Sequence, residues 1–395
     1  MRKALKWLAS ALYGLVMIEV VIMISPFAFY WYSLYAPALQ GLHRWRATAW
    51  LESFFLPHSV ITTSQFLEFT RWKIGSWAFG LGLLAALICA VQVYGTKLLK
   101  RKTAETWMYK YLRHPFYLSL AIAGFGLLTI WPRTIILVLY LGMLFLYYFL
   151  ARFEEKKVEA ANPEYAEYRK RTGMFLPGNP GGKLFRLFFG WIRDRGVGLA
   201  ASSAVIIVLV LGGAVLLRKY TIAHAVTQVL PSDNMMAIAI WPTPPEKIQQ
   251  VVSTTLQDER VRAALASEPG AAFTVHLLPK DYGMVNMFAD VGTDHRMFSK
   301  VTVHRLTSWA GFVVPSVDPQ HVNRIMGTPQ DSYKLIFSRV DEPGNSQLPV
   351  SKVTDLSAKM TPVVIANVGG GNPAVESVII PPRRSFWGDI TMPMF

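Results

Sequence analysis

The chain has 395 residues, of which 52% are hydrophobic and 12 are tryptophan, and its mean hydropathy is positive. A chain of this length and apolar content is typical of a membrane protein with two or three domains. The formal net charge is +15, but the surplus lies in loops between apolar runs, which argues against a nucleic-acid-binding protein. Cys89 is the only cysteine, so an intrachain disulfide is excluded.

Five apolar runs are long enough, or nearly so, to cross a bilayer, which takes about 20 residues. In chain order they are Leu8–Tyr32, Ile74–Tyr94, Pro115–Trp131, Thr134–Phe153 and Val197–Leu217. The third run is short and continues into the fourth through a tight turn, which predicts a buried hairpin. The first run is too long for a signal peptide and lacks a small-x-small cleavage site, so we expect an uncleaved anchor.

The segments between these runs differ in character. Ser33–Lys73 is rich in aromatic residues and is expected to lie along the membrane interface as a loop. The segment 152–196 is expected to continue the fourth run as a helix and to break at Asn162-Pro163 and again at Pro177–Gly182. A short basic amphipathic segment, Leu184–Phe189, then follows on the inner leaflet.

Basic residues set the predicted orientation. Within residues 1–219, and with the N-terminus inside, segments 1–7, 96–114 and 152–196 are interior and carry 19 Lys and Arg, against 7 in the outside segments. This is the positive-inside pattern. It predicts a multi-pass protein of the bacterial inner (cytoplasmic) membrane, with a cytoplasmic N-terminus and an extracytoplasmic C-terminus.

Beyond the fifth run the composition is that of a soluble domain. Lys219–Asn234 is expected to be a linker, and the apolar spacing in Pro244–Ser267 predicts a helix. Strands are predicted around that helix, at Met236–Trp241, Ala272–Leu278, Lys300–Leu306, Tyr333–Val340, Pro362–Val368 and Ser377–Ile380. The predicted fold is therefore an α-helical polytopic membrane protein of about five transmembrane helices with a C-terminal soluble α+β domain. Its predicted parts are an anchor with an interfacial loop (1–73), a membrane core (74–196), a transmembrane helix (197–218) and the outer domain (219–395).

The candidate site lies at the two feet of the predicted hairpin. Arg113-His114-Pro115-Phe116-Tyr117 opens the hairpin and Glu154-Glu155 close it. Each group alone is compatible with an ordinary helix end near lipid headgroups. Together they are separated by a stretch just long enough to cross and return, so both reach the same side of the membrane. A charged side chain next to hydrocarbon costs about several kcal/mol. This cost favours a binding role for the two groups.

Further residues can contribute to this site. Tyr165 and Tyr168 share a helix face and could wall an adenine or cover a sulfonium, or anchor the helix at the interface. Gly124 and Gly126 would let a ligand or another helix approach closely. Adjacent helical residues project about 100° apart. One of the two carboxylates could therefore face a cation while the other accepts hydroxyl groups.

The order of these motifs resembles the cofactor signature of the membrane isoprenylcysteine carboxyl methyltransferases and related phospholipid methyltransferases. The resemblance rests on Arg-His-Pro-x-Tyr at Arg113–Tyr117, a long hydrophobic stretch, Glu154-Glu155, and the tail from Glu164 to Pro177. It covers roughly residues 74–178. Asn162-Pro163 stands where the family commonly has Phe-Gly, and the outer domain is not part of the family's pattern.

The resemblance implies S-adenosylmethionine as the cofactor, held by His114, Tyr117, Glu154 and Glu155, with Arg113 near the methyl acceptor or the cofactor carboxylate. It implies a methyltransferase that acts on a membrane lipid or a prenylated carboxylate acceptor at the cytoplasmic face. Such a transfer needs alignment and exclusion of water, and no metal. A carboxylate acceptor would need no base, whereas an amine acceptor would have to lose a proton to His114 or a glutamate.

Two alternatives stay open on the sequence. The acceptor could be a phospholipid amine, or the core could be a non-catalytic anchor that presents the outer domain to a protein partner. The other histidines add no site, because His295 and His304 lack zinc-ligand spacing. Gly369–Pro373 lacks the Lys-Ser/Thr of a phosphate loop and is predicted to be a turn.

Overall fold

The computed structural model describes residues 2–24, 42, 45–57, 62–98, 107–130, 132–225, 227–239, 243–280, 332–341, 359–369 and 373–381. The chain divides into two compact units. The helical unit comprises residues 1–18, 74–131 and 136–216, and the mixed unit comprises residues 19–73, 132–135 and 217–395. The predicted strand Lys300–Leu306 lies outside the described residues.

Helices dominate the described residues up to Ala225. They are α1 (Arg2–Ile24), α2 (Arg46–Ala49), α3 (Gln65–Glu68), α4 (Gly75–Leu98), α5 (Pro115–Ile130), α6 (Thr134–Ala161), α7 (Tyr165–Arg171), α8 (Pro180–Phe189) and α9 (Arg195–Ala225). A π-helical turn, Phe69–Ile74, joins α3 to α4, and short 3-10 turns cover Trp50–Glu52 and Trp107–Lys110.

Three of the described helices are long and apolar enough to cross a membrane: Gln65–Val93, Thr134–Ala161 and Arg195–His224. The shorter Pro115–Ile130 is also apolar. These helices indicate a membrane protein. The prediction of about five spans remains a prediction, because the last part of the first predicted run lies outside the described residues.

Within the helical unit, α4 and α5 pack through glycines. A side-chain carbon on Gly126 would overlap the backbone of Phe79 and Gly75, and one on Gly82 would overlap the backbone of Ala123. Small residues at such crossings let two helix backbones approach closely in membranes. Gly126 therefore lies in the contact between these two helices.

The turn of the predicted hairpin belongs to the mixed unit. Pro132 accepts a hydrogen bond from the amide of Phe55 at 3.0 Å, and the amide of Thr134 donates to the carbonyl of Ser53 at 2.8 Å. Arg133 is 1% exposed, with its guanidinium 5.4 Å from the ring centroid of Phe54. These contacts fix residues 132–134, from which α6 begins.

The C-terminal part of the mixed unit is a sheet of six described strands in the order β1-β2-β3-β4-β5-β6. Only β2 and β3 are parallel among these strands, and the other neighbours are antiparallel. The strands are β1 (Thr227–Ser232), β2 (Met235–Ala239), β3 (Ala272–Pro279), β4 (Tyr333–Asp341), β5 (Lys359–Gly369) and β6 (Ala374–Ile379). Two helices, α10 (Pro245–Gln257) and α11 (Glu259–Ala266), connect the parallel pair and bury Ile248, Val251 and Val261 in the core.

Three local predictions are wrong. Lys219–Asn234 is not a linker, because α9 extends to Ala225 and β1 follows as an edge strand, where Pro231 is tolerated. Gln65–Ile74 is helical rather than loop, starting at Ser64, whose hydroxyl caps the amide of Leu67. The helix predicted over Pro244–Ser267 breaks at Asp258, whose carboxylate caps α11.

Candidate active site

Arg113 and Glu155 form a buried ion pair in the helical unit. The Arg113 Nε donates to Glu155 Oε1 at 2.6 Å, and the two side chains are only 8% and 4% exposed. Pro115 begins α5 directly after this segment, and Glu155 lies toward the end of α6. The structure therefore brings the two feet of the hairpin together, as the spacing predicts.

The backbone around Arg113 is held by the loop that follows α7. The amides of Arg113 and His114 donate to the carbonyls of Gly173 and Met174, at 2.9 and 3.1 Å. The Arg113 guanidinium also donates to the carbonyls of Thr172 and Arg169, the latter at 3.1 Å. Arg113 thus uses its donors on Glu155 and on this loop, which makes it a positioning residue.

His114 lies between the two carboxylates. Its Nε2 is 3.4 Å from Glu155 Oε1, and its Nδ1 is 4.0 Å from Glu154 Oε2. Apart from this contact with Glu155, the buried Nε2 has no hydrogen-bond partner among the residues that the structure describes. A buried polar atom without a good hydrogen bond is costly, so a ligand that supplied one to Nε2 would stabilise this arrangement.

Glu154 is the more accessible carboxylate, with its side chain 22% exposed. The hydroxyl of Tyr117 donates to Glu154 Oε1 at 3.2 Å, and the Lys6 ammonium lies 3.3 Å from the same oxygen. The ring of Tyr117 stacks between His114 and Tyr147, with centroids 5.7 and 5.1 Å away. Sequence reasoning missed Lys6, because its charge was fully explained as an interior basic residue before the first span.

The tyrosine pair of α7 is divided between two roles. The rings of Tyr165 and Tyr168 are 5.6 Å apart, as expected for one helix face. Tyr168 is buried, and its hydroxyl donates to the carbonyls of Tyr109 at 2.6 Å and Leu112 at 3.4 Å. Tyr168 therefore holds the segment before Arg113. Burial raises the pKa of Tyr165, and the nearby Glu155 carboxylate raises it further.

The two glycines of α5 are not brought to this cluster. Gly124 lies ten residues beyond His114, about 15 Å along the helix axis. A side-chain carbon there would press on Tyr140 and Met143, at 3.1 and 3.2 Å. Gly124 and Gly126 thus serve helix packing in the structure, and a cofactor role for them stays a prediction.

The cluster as a whole combines a carboxylate that is paired with an arginine and a carboxylate that is partly exposed. Among the described residues no group of three or more His, Cys, Asp or Glu is placed to hold a metal ion. Glu155 is neutralised by Arg113, while Glu154 offers a partly exposed carboxylate beside an aromatic stack. Such a surface suits an organic cation that carries further hydrogen-bonding groups.

Comparison with known proteins gives one informative similarity. The chain is 31% identical over 149 residues to the cobalt-zinc-cadmium resistance protein CzcN of Cupriavidus metallidurans, a match that covers 32% of this chain and 67% of CzcN. No protein-family profile matches the chain, and no solved structure matches it.

Proposed function

The chain belongs to the same family as CzcN over about a third of its length, and from the buried Arg113–Glu155 cluster we propose that this part is a membrane methyltransferase core using S-adenosylmethionine. The observation that carries the proposal is the convergence of Arg113, His114, Glu154 and Glu155. This is the set that the resemblance to the isoprenylcysteine and phospholipid methyltransferases implies. The proposed acceptor is a lipid or a prenylated carboxylate at the cytoplasmic face.

The residues present fit the proposed cofactor. Glu154 and Tyr117 would hold its amino-acid cation, His114 Nε2 would donate to or accept from its polar groups, and Tyr165 would flank it. When bound, S-adenosylmethionine supplies an electrophilic methyl group on a sulfonium. The contribution of the chain is alignment, which in general supplies on the order of 7–11 kcal/mol, and exclusion of water.

The role of each ionisable group follows from its contacts. Arg113 and Glu155 saturate each other and fix the loop after α7, so they shape the site without exchanging protons. His114 is the group with an available ring nitrogen. It would accept the proton of an amine acceptor, and a carboxylate acceptor would not require it.

Binding of S-adenosylmethionine to the detergent-purified protein tests the proposal. We expect binding by calorimetry, weakened about 10- to 100-fold in Glu154→Gln, because a hydrogen bond to a charged group contributes about 1.5–3 kcal/mol. The matched control is Glu159→Gln on the same helix, which removes a surface carboxylate paired with Arg169 at 2.7 Å. The control should bind like the wild type.

Other outcomes are informative. Equal affinity in Glu154→Gln and the wild type would remove Glu154 from the site. No binding by a well-folded wild-type protein would refute the methyltransferase core and favour the anchor that presents the outer domain.

A role in metal resistance is a second candidate function, favoured by the family relation to CzcN, whose name assigns it to cobalt, zinc and cadmium resistance. The two functions are compatible if methylation of a membrane component underlies resistance. Metal tolerance of a deletion strain complemented with wild-type or Glu154→Gln protein separates them. Rescue by both proteins would make a resistance role independent of the site.

The proposed location is the inner membrane, with the site inside and the C-terminal sheet outside. The excess of basic residues in the interior segments supports this orientation. A reporter active only in the periplasm is expected to work when fused after Phe395 and to fail when fused at Pro180. The opposite pattern would place the site on the outer face, away from cytoplasmic S-adenosylmethionine.

A further inference from the structure

We propose that Lys6 is a built-in counter-cation that occupies the place of a ligand's positive group on Glu154 and is displaced when a cationic ligand binds. The inference rests on the proposed function, because S-adenosylmethionine carries two positive centres, an ammonium and a sulfonium. It assigns the N-terminal helix to the site, which the sequence motifs do not.

The contacts on Glu154 place Lys6 in direct competition with such a ligand. The Lys6 ammonium is 3.3 Å from Glu154 Oε1, the oxygen that also accepts the hydroxyl of Tyr117. Glu154 is 22% exposed and Lys6 is 48% exposed, so solvent and ligands reach the pair. A ligand cation that binds this carboxylate therefore meets a position already held by a positive charge.

Packing of α1, rather than the ion pair, holds Lys6 there. Ala9, three residues further along α1, is 5% exposed and forms a buried cluster with Met143, Tyr147 and Leu150. Leu5 and Tyr13 of α1 pack against the same cluster, as does Tyr117. Lys6, Ala9 and Tyr13 are spaced to share one helix face. The apolar contacts of Ala9 and Tyr13 therefore place Lys6 beside Glu154 when no ligand is bound, and the flexible lysine side chain can move aside when one binds.

The Lys6–Glu154 ion pair is weak enough for a ligand to displace Lys6. An exposed lysine–carboxylate pair contributes about 0–1 kcal/mol, so a ligand that makes several hydrogen bonds can replace it. The same value limits the effect of removing Lys6. Affinity for a cationic ligand should rise by up to about fivefold when the competing charge is gone.

Whether affinity rises or falls when Lys6 is replaced separates the proposal from its main alternative. If Lys6 instead contacted the carboxylate of the ligand, its removal would weaken binding. Lys6→Met keeps most of the side-chain length and removes the charge, and Lys6→Arg keeps the charge. Lys3→Met removes the same charge one turn earlier on the same helix and serves as the control.

The experiment is calorimetric titration of the full-length protein with three probes. S-adenosylmethionine has both cations, S-adenosylhomocysteine has only the ammonium, and 5′-methylthioadenosine has neither. We expect Lys6→Met to bind S-adenosylmethionine about two- to fivefold more tightly than the wild type, with no change for 5′-methylthioadenosine. Lys6→Arg and Lys3→Met should resemble the wild type, and the gain should shrink at high salt.

The other possible results of these titrations contradict either the role of Lys6 or the proposed function. Binding of S-adenosylmethionine by the wild type with equal or weaker binding in Lys6→Met overturns the role of Lys6 and leaves the proposed function intact. If Lys3→Met gains as much affinity for S-adenosylmethionine as Lys6→Met, the gain reflects the lower net charge of the protein. That result also overturns the role of Lys6. No binding of S-adenosylmethionine by any variant refutes the proposed function, and the role of Lys6 falls with it.

Discussion

Replacing Arg113 with methionine is expected to destabilise the helical unit by about 3–5 kcal/mol, because it leaves a buried carboxylate without its cation. Glu155 is 4% exposed, and the Arg113 Nε lies 2.6 Å from its oxygen. The substitution also removes the hydrogen bonds from the guanidinium to the carbonyls of Arg169 and Thr172. The loop after α7 should loosen, and affinity for S-adenosylmethionine should fall with it.

The measurement is the denaturation midpoint of the detergent-purified protein, followed by amide exchange of the loop at Thr172–Met174. The matched control is Arg169→Met, which breaks an exposed pair with Glu159 and should cost about 0–1 kcal/mol. The double variant Arg113→Met/Glu155→Gln should recover part of the loss, because the uncompensated charge is gone. Equal losses in Arg113→Met and Arg169→Met would show that the pair is not a buried one in solution.

The second large effect is expected in the sheet, where stability should fall by about 2 kcal/mol between pH 7 and pH 5 because of one histidine. His276 lies on β3 opposite Ile238 of β2 and Ile336 of β4, and its side chain is buried. This burial lowers the pKa of His276 to about 4.

The direction follows from proton binding. The unfolded chain binds a proton at this residue near its ordinary pKa of about 6.5, whereas the folded sheet does so only near 4. Stability is therefore complete above about pH 6.5, declines as the pH falls between about 6.5 and 4, and levels off below.

Amide exchange of β3 in the full-length protein, measured at pH 7 and pH 5 and corrected for intrinsic rates, reports the free energy of opening. His276→Val keeps a β-forming apolar side chain and should lose the part of the pH dependence that this histidine contributes. The same pH dependence in His276→Val and the wild type would assign it to other groups.

The helix and strand positions follow largely from local pattern. The predicted run Pro115–Trp131 corresponds to α5, Pro115–Ile130, and the predicted strand Tyr333–Val340 corresponds to β4, Tyr333–Asp341. Both agree because proline at a helix start and a run of β-branched and aromatic residues act locally. β1 was missed because Pro231 and Ser232 read as linker, and pairing with β2 stabilises them as an edge strand.

The sequence by itself determined that ionisable groups stand at both feet of an apolar hairpin, because hydrophobic length and the order of charges are properties of the chain alone. Only the tertiary structure decided the partners. Glu155 turns to Arg113 and Glu154 turns to Tyr117 and Lys6, since neighbouring helical residues project about 100° apart and different elements lie on each side. The tyrosines divide in the same way, because the hydroxyl of Tyr168 meets the carbonyls of Tyr109 and Leu112 once the loop packs against it. Which partner each side chain meets depends on contacts between distant segments, and no local spacing specifies those.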